Sequence, residues 1–414
     1  MPANMETNIK KYLIAGVCFV GMFIGLLLSF SYYQHQQITY PKNLPWLPSN
    51  VLGQITKEAS PSAPTKLGIV YGFLPYWNLS NYTINSSVSH LVYFRLAVNG
   101  KGEIVKESSD GGYKALQSER MHAIHQQIKN AHLKYEITFF TSISSDIDEL
   151  IECQSCQDTF IQNLADTISE HNLDGINIDF EYSGYVSSQK RQKFTNLMYR
   201  ISNLLETRFP RTKLSVDVYG GAAEMNNLWD FPLLAKIVDR VIVMGYDYKT
   251  RKSLLPGPSA PLLGKDTFGG DIWEDVRTLM KYVPNQKIVL AIPFYGYAWE
   301  TTSDDLKTAQ TYPDSGQTLT YKGARKLLAD KELKVQERWD EHSLTPYLVW
   351  QTSEEIADQE ELEQRWHIGF FENPRSLNYK IDMVSALNLG GIAIWALGYE
   401  GQYDELWQTI TQRF

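Results

Sequence analysis

Short apolar runs alternate with amphipathic helical segments along this 414-residue chain from residue 67 onward. The eight runs are LGIVYGFLPYW (67–77), SHLVYFRLAV (89–98), KYEITFFTS (134–142), LDGINIDFEY (173–182), KLSVDVYG (213–220), DRVIVMGYDY (239–248), KIVLAIPFYGYAW (287–299) and GGIAIWALG (390–398). Strands that alternate with helices build a parallel sheet, and eight is the number that closes such a sheet into a barrel. The pattern therefore predicts an α/β fold, a (β/α)8 TIM barrel over residues 67–414.

The connection between the seventh and eighth runs is longer than the others. It extends over residues 298–366 and contains a helical segment at 322–329 and a strand-like segment at 346–350. Connections of this length usually carry secondary structure of their own. We therefore expect a small α+β lobe inserted between strands 7 and 8.

An uncharged apolar stretch, LIAGVCFVGMFIGLLLSFS, precedes the predicted barrel. At about 1.5 Å per residue it is long enough to span the hydrocarbon core of a bilayer as a helix. Lys10 and Lys11 precede it, whereas the next Lys or Arg is Lys42, so the N-terminus is expected in the cytoplasm. Cleavage as a signal peptide, with secretion of the barrel, is the alternative. The predicted order is a cytoplasmic tail, a transmembrane signal-anchor, a linker and an extracytoplasmic barrel: residues 1–12, 13–33, 34–66 and 67–414.

Composition excludes several classes of function. The chain has 39 Lys+Arg against 47 Asp+Glu, a formal charge of -8, and no long basic run, so we expect no nucleic-acid partner. No phosphate-binding glycine loop and no metal-ligand spacing of Cys or His is present, and we expect no metal, no cofactor and no obligate protein partner. The spacing of Cys153 and Cys156 leaves open whether they form a local disulfide.

The fourth run carries polar side chains on one face. Because side chains alternate along a strand, Asn177, Asp179 and Glu181 share that face, and the opposite face is apolar. An edge strand with a solvated face is the alternative. Two carboxylates this close resist simultaneous ionisation, so the pKa of at least one should rise. A carboxylic acid that stays protonated near neutral pH can protonate a glycosidic oxygen.

This segment resembles the fourth-strand pattern Asp-Gly-x-Asp-x-Asp-x-Glu of glycoside hydrolase family 18, the chitinase-type barrels. The match lies at Asp174, Gly175, Asp179 and Glu181, and Asn177 stands where the family usually has aspartate. An amide can donate a hydrogen bond to Asp179 but cannot take up its proton. We therefore expect activity with a shifted acidic limb of the pH profile.

Further segments carry the same resemblance in the family's order. Met-Gly-Tyr-Asp-Tyr at 244–248 is similar to the sixth-strand motif, Pro-Phe-Tyr-Gly at 293–296 to the seventh, and Trp395 to the eighth-strand tryptophan. Residues 256–258, 372–376 and 394–398 are most similar to the branch of bacterial spore-cortex and cell-wall N-acetylglucosaminidases.

The resemblance implies a role for each site residue. Glu181 would protonate the leaving oxygen and later activate water, while the substrate's own acetamide oxygen attacks the anomeric carbon. Asp179 would orient that acetamide, and Tyr246 would donate a hydrogen bond to its oxygen. Contacts to the substrate are expected from Asp247, Trp395, Asn177, Met244 and Tyr295. The substrate class is an N-acetylglucosamine-containing polysaccharide, either peptidoglycan or chitin.

Two other functions stay open at the level of the sequence. A non-catalytic, lectin-like barrel would bind chitin or peptidoglycan without cleaving it, although family relatives of that kind typically lose the acid that Glu181 supplies. A membrane-tethered adhesion protein would leave the carboxylates of the fourth run without a purpose. Arg95, at the end of the second run, is expected to pair with a carboxylate inside the barrel. The sequence does not assign the face of Asp217.

Overall fold

Eight parallel strands close into a barrel in the computed structural model, which describes residues 68–107, 111–355 and 362–414. Each strand pairs with the next along the chain, and the last closes the ring against the first. This confirms the predicted closed parallel barrel. The barrel strands are β1 (Ile69–Pro75), β2 (His90–Ala97), β3 (Lys134–Thr141), β4 (Gly175–Phe180), β5 (Lys213–Tyr219), β6 (Arg240–Met244), β7 (Ile288–Pro293) and, after the five strands of an insertion, β13 (Gly391–Trp395).

Helices accompany the strands of the barrel and of the insertion. They are α1 (Gly112–Leu116), α2 (Glu119–Asn130), α3 (Ser144–Glu152), α4 (Gln154–His171), α5 (Ser188–Arg208), α6 (Phe231–Ile237), α7 (Lys265–Phe268), α8 (Ile272–Leu279), α9 (Tyr321–Ala329), α10 (Pro374–Ala386) and α11 (Glu405–Thr411), with 3-10 turns at Tyr76–Asn81, Ala222–Glu224 and Asn285–Lys287. Phe180 at the end of β4 packs against Phe160 of α4 and Phe194 of α5, at ring distances of 5.8 Å and 6.4 Å. Since neighbouring side chains of a strand point to opposite faces, Asp179 points into the barrel.

The barrel interior has an apolar side and a polar side. Nine buried apolar residues, supplied mainly by β1, β2, β6, β7 and β13, form one cluster. Buried polar side chains on three adjacent strands, β3 to β5, form the other side: Glu136, Thr138, Asn177, Asp179, Ser215 and Asp217. A buried parallel strand is usually apolar on both faces, so three neighbouring exceptions mark where the chemistry of this barrel lies.

The connection between β7 and β13 holds a five-stranded antiparallel sheet in the order β10-β11-β12-β8-β9, accompanied by α9. Its strands are β8 (Tyr295–Thr301), β9 (Gln317–Thr320), β10 (Gln336–Asp340), β11 (Thr345–Glu355) and β12 (Leu362–Phe370). The insertion therefore extends beyond the predicted bounds, residues 298–366, at both ends. The difference arises because β8 begins at Tyr295, directly beyond the barrel, and because β12 pairs with β11 as far as Phe370, which lies opposite Tyr347.

The segment at 372–376 begins α10 and lies outside the barrel cavity. Asn373 caps the helix by accepting a hydrogen bond from the Ser376 backbone N–H at 3.0 Å. Beside it, the fully buried Lys380 ammonium donates to both carboxylate oxygens of Glu372 at 2.9 Å. The residues of this segment thus have structural roles, in a helix cap and in a buried ion pair.

Cys153 and Cys156 form a disulfide where α3 meets α4. The predicted cytoplasmic tail, transmembrane signal-anchor and linker, residues 1–12, 13–33 and 34–66, lie outside the described residues. In the part of the chain that the structure describes, no helix has the length and apolarity needed to cross a bilayer.

Candidate active site

A cavity of 440 Å³ opens at the carboxyl ends of the barrel strands. Its walls include seven of the eight predicted site residues: Asp179, Glu181, Met244, Tyr246, Asp247, Tyr295 and Trp395. Asn177 is the exception, since it is fully buried and does not line the cavity. The structure therefore places Asn177 beneath the cavity. This position does not support the predicted contact between Asn177 and substrate.

Glu181 directly follows β4 and is held at the cavity wall by its backbone. Its N–H donates to the carbonyl of Thr141 at 2.9 Å, which continues the ladder between β3 and β4. Burial raises the pKa of the Glu181 carboxyl, the Arg95 guanidinium lowers it, and the Asp247 carboxylate raises it again. The net pKa is above the usual range, which favours the protonated carboxyl that a general acid requires.

Asp179 lies two residues earlier and deeper in the barrel, with 3% of its surface exposed. Burial raises its pKa well above the usual range, and the charges of Asp217 and Glu181 raise it further, while Arg95 lowers it. Among the described residues, none makes a hydrogen bond to its Oδ1. A buried carboxyl oxygen without a partner is costly, and it is suited to a partner that a ligand brings.

Asn177 connects three strands of the polar side. Its Oδ1 accepts a hydrogen bond from Thr138 of β3 at 2.9 Å, and its Nδ2 donates to Ser215 at 3.0 Å and to Asp217 of β5 at 2.7 Å. The expected hydrogen bond to Asp179 is not among these contacts. The reason is the register of the strands, which sets Asn177 beside Ser215 and gives its amide partners on β5.

Asp217 is the site residue that sequence reasoning did not assign. It lines the cavity together with Asp179 and Glu181 and is 4% exposed. Burial raises its pKa to about 8, the hydrogen bond from Asn177 opposes this, and the Glu181 charge adds to it. The sequence signal that indicates an inward-facing Asp217 is the alternation of Ser215, Asp217 and Tyr219 with apolar residues along one strand.

Asp247 stands in a backbone conformation that few side chains adopt. Its φ is 65°, in the left-handed region, where aspartate is among the better tolerated residues. Its Oδ1 accepts hydrogen bonds from the hydroxyls of Tyr295 at 2.5 Å, Tyr297 at 2.9 Å and Ser259 at 3.3 Å. Tyr295 and Tyr297 come from β8, so the inserted lobe fixes the orientation of this carboxylate.

Tyr246 lies one residue before Asp247 on the cavity wall. Burial raises the pKa of its hydroxyl far above the usual range, and the charges of Asp217, Asp179, Asp247 and Glu181 raise it further. The phenol is therefore neutral over the working pH range and available as a hydrogen-bond donor.

Aromatic rings form the apolar floor of the cavity. Trp395 packs edge-on against Phe94 at 4.6 Å and lies 6.1 Å from Phe73 and 6.4 Å from Trp77. Trp77 is 45% exposed at the cavity wall, so its ring face is accessible to a ligand. Flat apolar surfaces of this kind suit the faces of sugar rings.

Arg95 lines the same cavity, as its predicted position inside the barrel requires. Its guanidinium stacks over the Phe140 ring at 3.8 Å, and its charge lowers the pKa of both Asp179 and Glu181. Within the described ranges, no three His, Cys, Asp or Glu side chains are grouped so as to hold a metal ion.

The chain is similar in sequence and in fold to several known proteins. The human protein Chitinase-3-like protein 2 is 21% identical over 332 residues, which cover 75% of this chain and 78% of that protein. Among solved structures, the spore cortex-lytic enzyme SleL of Bacillus megaterium QM B1551 superposes with a TM-score of 0.63 at 17% identity, covering 87% of this chain and 79% of SleL. The family GH18 chitinase of Cycas revoluta, solved in complex with allosamidin, has a TM-score of 0.69 at 19% identity and covers 84% and 99%.

At these identities the solved structures establish the fold. The sequence profile of Glycosyl hydrolases family 18 matches residues 69–400, which is most of the chain. The chain therefore belongs to glycosyl hydrolases family 18 and is a chitinase-like glycosidase.

Proposed function

We propose that this protein is a retaining hydrolase that cleaves β-1,4 bonds of an N-acetylglucosamine-containing glycan by substrate-assisted catalysis. The observation that carries the proposal is that Glu181, Asp179 and Tyr246 meet at one cavity above an apolar floor. Such a set supplies an acid, a group that orients an amide, and a neutral donor. It is the set that hydrolysis of an acetamide-bearing sugar requires.

The proposed reaction uses the protonated carboxyl of Glu181 as the general acid. Its proton goes to the glycosidic oxygen as the C–O bond breaks, and the substrate's acetamide oxygen forms a bond to the anomeric carbon. Retaining enzymes of this type need no second carboxylate as nucleophile. An intramolecular nucleophile also avoids the entropy cost of bringing two molecules together, which can contribute several kcal/mol.

Asp179 and Tyr246 act on the acetamide in this scheme. The unpartnered Oδ1 of Asp179 would accept the amide N–H and stabilise the positive charge that develops there. The neutral hydroxyl of Tyr246 would donate to the acetamide oxygen. The Glu181 carboxylate then removes a proton from water, the water oxygen opens the cyclic intermediate, and the configuration at the anomeric carbon is retained.

Other residues of the cavity wall would contact the substrate beyond the reacting centre. We assign Trp395 to the floor beneath the reacting sugar and Asp247 to the neighbouring sugar, with Met244 and Tyr295 in the surrounding wall. Tyr295 also holds Asp247 in place through its hydroxyl. Asn177 would act from beneath the cavity, through its hydrogen bonds to side chains of β3 and β5.

For the substrate we propose peptidoglycan ahead of chitin. The predicted N-terminal signal-anchor, which would hold the barrel outside the cytoplasm, supports this order, and a spore cortex-lytic enzyme is among the proteins of similar fold. The predicted location is accordingly a single-pass membrane protein with a cytoplasmic N-terminus, or a secreted protein if the apolar segment is cleaved.

The experiment compares the wild-type chain with Glu181→Gln on purified peptidoglycan and on chitin, with mass analysis of the products. Glu206→Gln, a change at an exposed glutamate of α5, is the matched control. We expect soluble products from the wild type and the control, and none from Glu181→Gln. Glycan binding without any products from the wild type would instead support the lectin-like alternative.

A further inference from the structure

Asn177 leaves one position of the polar row without a carboxylate. By the resemblance noted above, the family pattern has an aspartate there. The structure shows a carboxylate nearby on the neighbouring strand, because Asn177 Nδ2 donates to Asp217 Oδ1 at 2.7 Å. The missing acid of β4 thus has a counterpart on β5.

The hydrogen bonds fix which end of the Asn177 side chain faces Asp217. Its Oδ1 accepts from the Thr138 hydroxyl on the β3 side, so its Nδ2 points towards β5. An amide held in this way donates to one oxygen of Asp217 and leaves the other oxygen of that carboxyl for a proton.

Asp217 and Asp179 occupy corresponding positions of adjacent strands. The register pairs Asn177 with Ser215 and Ile178 with Val216, so Asp179 and Asp217 come next on β4 and β5. Neighbouring strands lie about 4.8 Å apart, which places the two inward-pointing carboxyls side by side. Both are buried and both line the cavity.

We propose that Asp217 is the proton-sharing partner of Asp179, a positioning residue that takes over from β5 the part that an aspartate at position 177 would play from β4. This inference rests on the proposed function, because it concerns how Asp179 changes partners during that reaction. Two adjacent buried carboxyls hold one proton between them. When the substrate's amide N–H reaches Asp179, that proton moves to Asp217, and Asp179 faces the acetamide as a carboxylate.

The other charges around Asp217 are consistent with this exchange. The titratable and charged groups that act on it or on its partner come from β2 to β5 and from the segment after β6: Arg95, Glu136, Asp179, Glu181, Tyr219 and Tyr246. Burial raises the pKa of both carboxyls, that of Asp179 well above its usual range and that of Asp217 to about 8, while Arg95 lowers the pKa of Asp179. The pair therefore retains a proton, and the substrate's amide N–H, by stabilising the Asp179 carboxylate, favours that proton on Asp217.

The test moves the carboxylate between strands in the full chain. Asp217→Asn removes it, and the double variant Asn177→Asp/Asp217→Asn returns it to β4 with the amide now on β5. Ser215→Ala is the matched control, because it removes the other acceptor of Asn177 Nδ2 on the same strand but keeps the carboxylate.

The readout is the pH profile of kcat and of kcat/KM on a fluorogenic N-acetylglucosamine oligomer. We expect Asp217→Asn to lower kcat by at least about tenfold with a changed acidic limb and a smaller change in KM. The double variant should recover most of the loss, and Ser215→Ala should keep the wild-type profile. A wild-type profile for Asp217→Asn, or a double variant as slow as the single one, would overturn the proposal.

A second measurement does not depend on turnover. The pair of buried carboxyls keeps a proton in the folded protein that it loses on unfolding, so the pair's contribution to stability falls as pH rises from about 4 to about 8. Unfolding midpoints of the full chain over this range should fall less steeply for Asp217→Asn than for the wild type. Parallel curves would overturn the proposal. An inactive wild type with a flattened Asp217→Asn curve would refute the proposed function but would support proton storage at Asp217.

Discussion

Glu136 of β3 provides a quantitative test of how burial in this barrel changes the pKa of a carboxyl and the stability of the fold. Its carboxyl is 1% exposed, and Gly175 leaves room for it, since a Cβ on that glycine would lie 2.6 Å from Glu136 Cδ. Among the described residues, none makes a hydrogen bond to its Oε2. Burial raises the pKa of Glu136 to about 8, a hydrogen bond with Tyr71 lowers it, and Asp174 raises it.

The sign of the pH effect follows from this shift. The folded protein keeps a proton on Glu136 that the unfolded chain, with a usual pKa near 4.5, has already released. The free energy of unfolding should therefore decrease as pH rises through this interval. At about 1.4 kcal/mol per pKa unit, the contribution between pH 5 and pH 8 is roughly 3 to 4 kcal/mol.

The assay is urea unfolding of the wild type and Glu136→Gln at several pH values between 5 and 8. Glutamine keeps the shape of the side chain and removes its titration, so the variant should lose less stability across this range by the amount calculated above. Glu149→Gln, an exposed change on α3, should follow the wild type. Buried acids that do not interact with Glu136 titrate alike in all three proteins and cancel in the comparison. Equal slopes for Glu136→Gln and the wild type would refute the reasoning.

Three further outcomes are expected. Trp77→Ala should weaken binding of an N-acetylglucosamine oligomer by about tenfold in calorimetry, because an exposed ring at the cavity is lost, whereas Tyr199→Ala on the outer helix α5 should bind normally. Tyr246→Phe should lower kcat by about ten- to a hundredfold with an unchanged unfolding midpoint, and an unaltered kcat would remove its hydroxyl from the mechanism. Lys380→Met should destabilise the fold by about 3 to 5 kcal/mol in urea unfolding by leaving the Glu372 charge buried alone, and Glu372→Leu in the same chain should restore part of the loss.

Much of the site was accessible from local sequence because strand alternation is a short-range property. The order of residues in β4 alone places Asp179 on the inner face and Phe180 on the outer face. The strand-to-helix alternation likewise predicts the closed barrel, whose carboxyl end then gathers Glu181, Tyr246 and Trp395. These residues required only the direction of each strand.

The remainder depends on contacts between distant segments. The choice of Asp217 over Asp179 as the partner of Asn177 is set by the register of β4 and β5, which join residues 40 positions apart. The orientation of Asp247 depends on a hydroxyl of the inserted lobe, 50 positions away at Tyr297. Alternation gives the face of a side chain, but its hydrogen-bond partner is determined by neighbouring strands, and no local pattern encodes that choice.

The most direct test of the proposed mechanism is the anomeric configuration of the first product, read by proton NMR within minutes of adding enzyme to a β-1,4-linked N-acetylglucosamine oligomer. Attack by the substrate's acetamide, followed by water from the same face, predicts that the β anomer forms first and then mutarotates. First formation of the α anomer would contradict the roles assigned to Glu181 and Asp179.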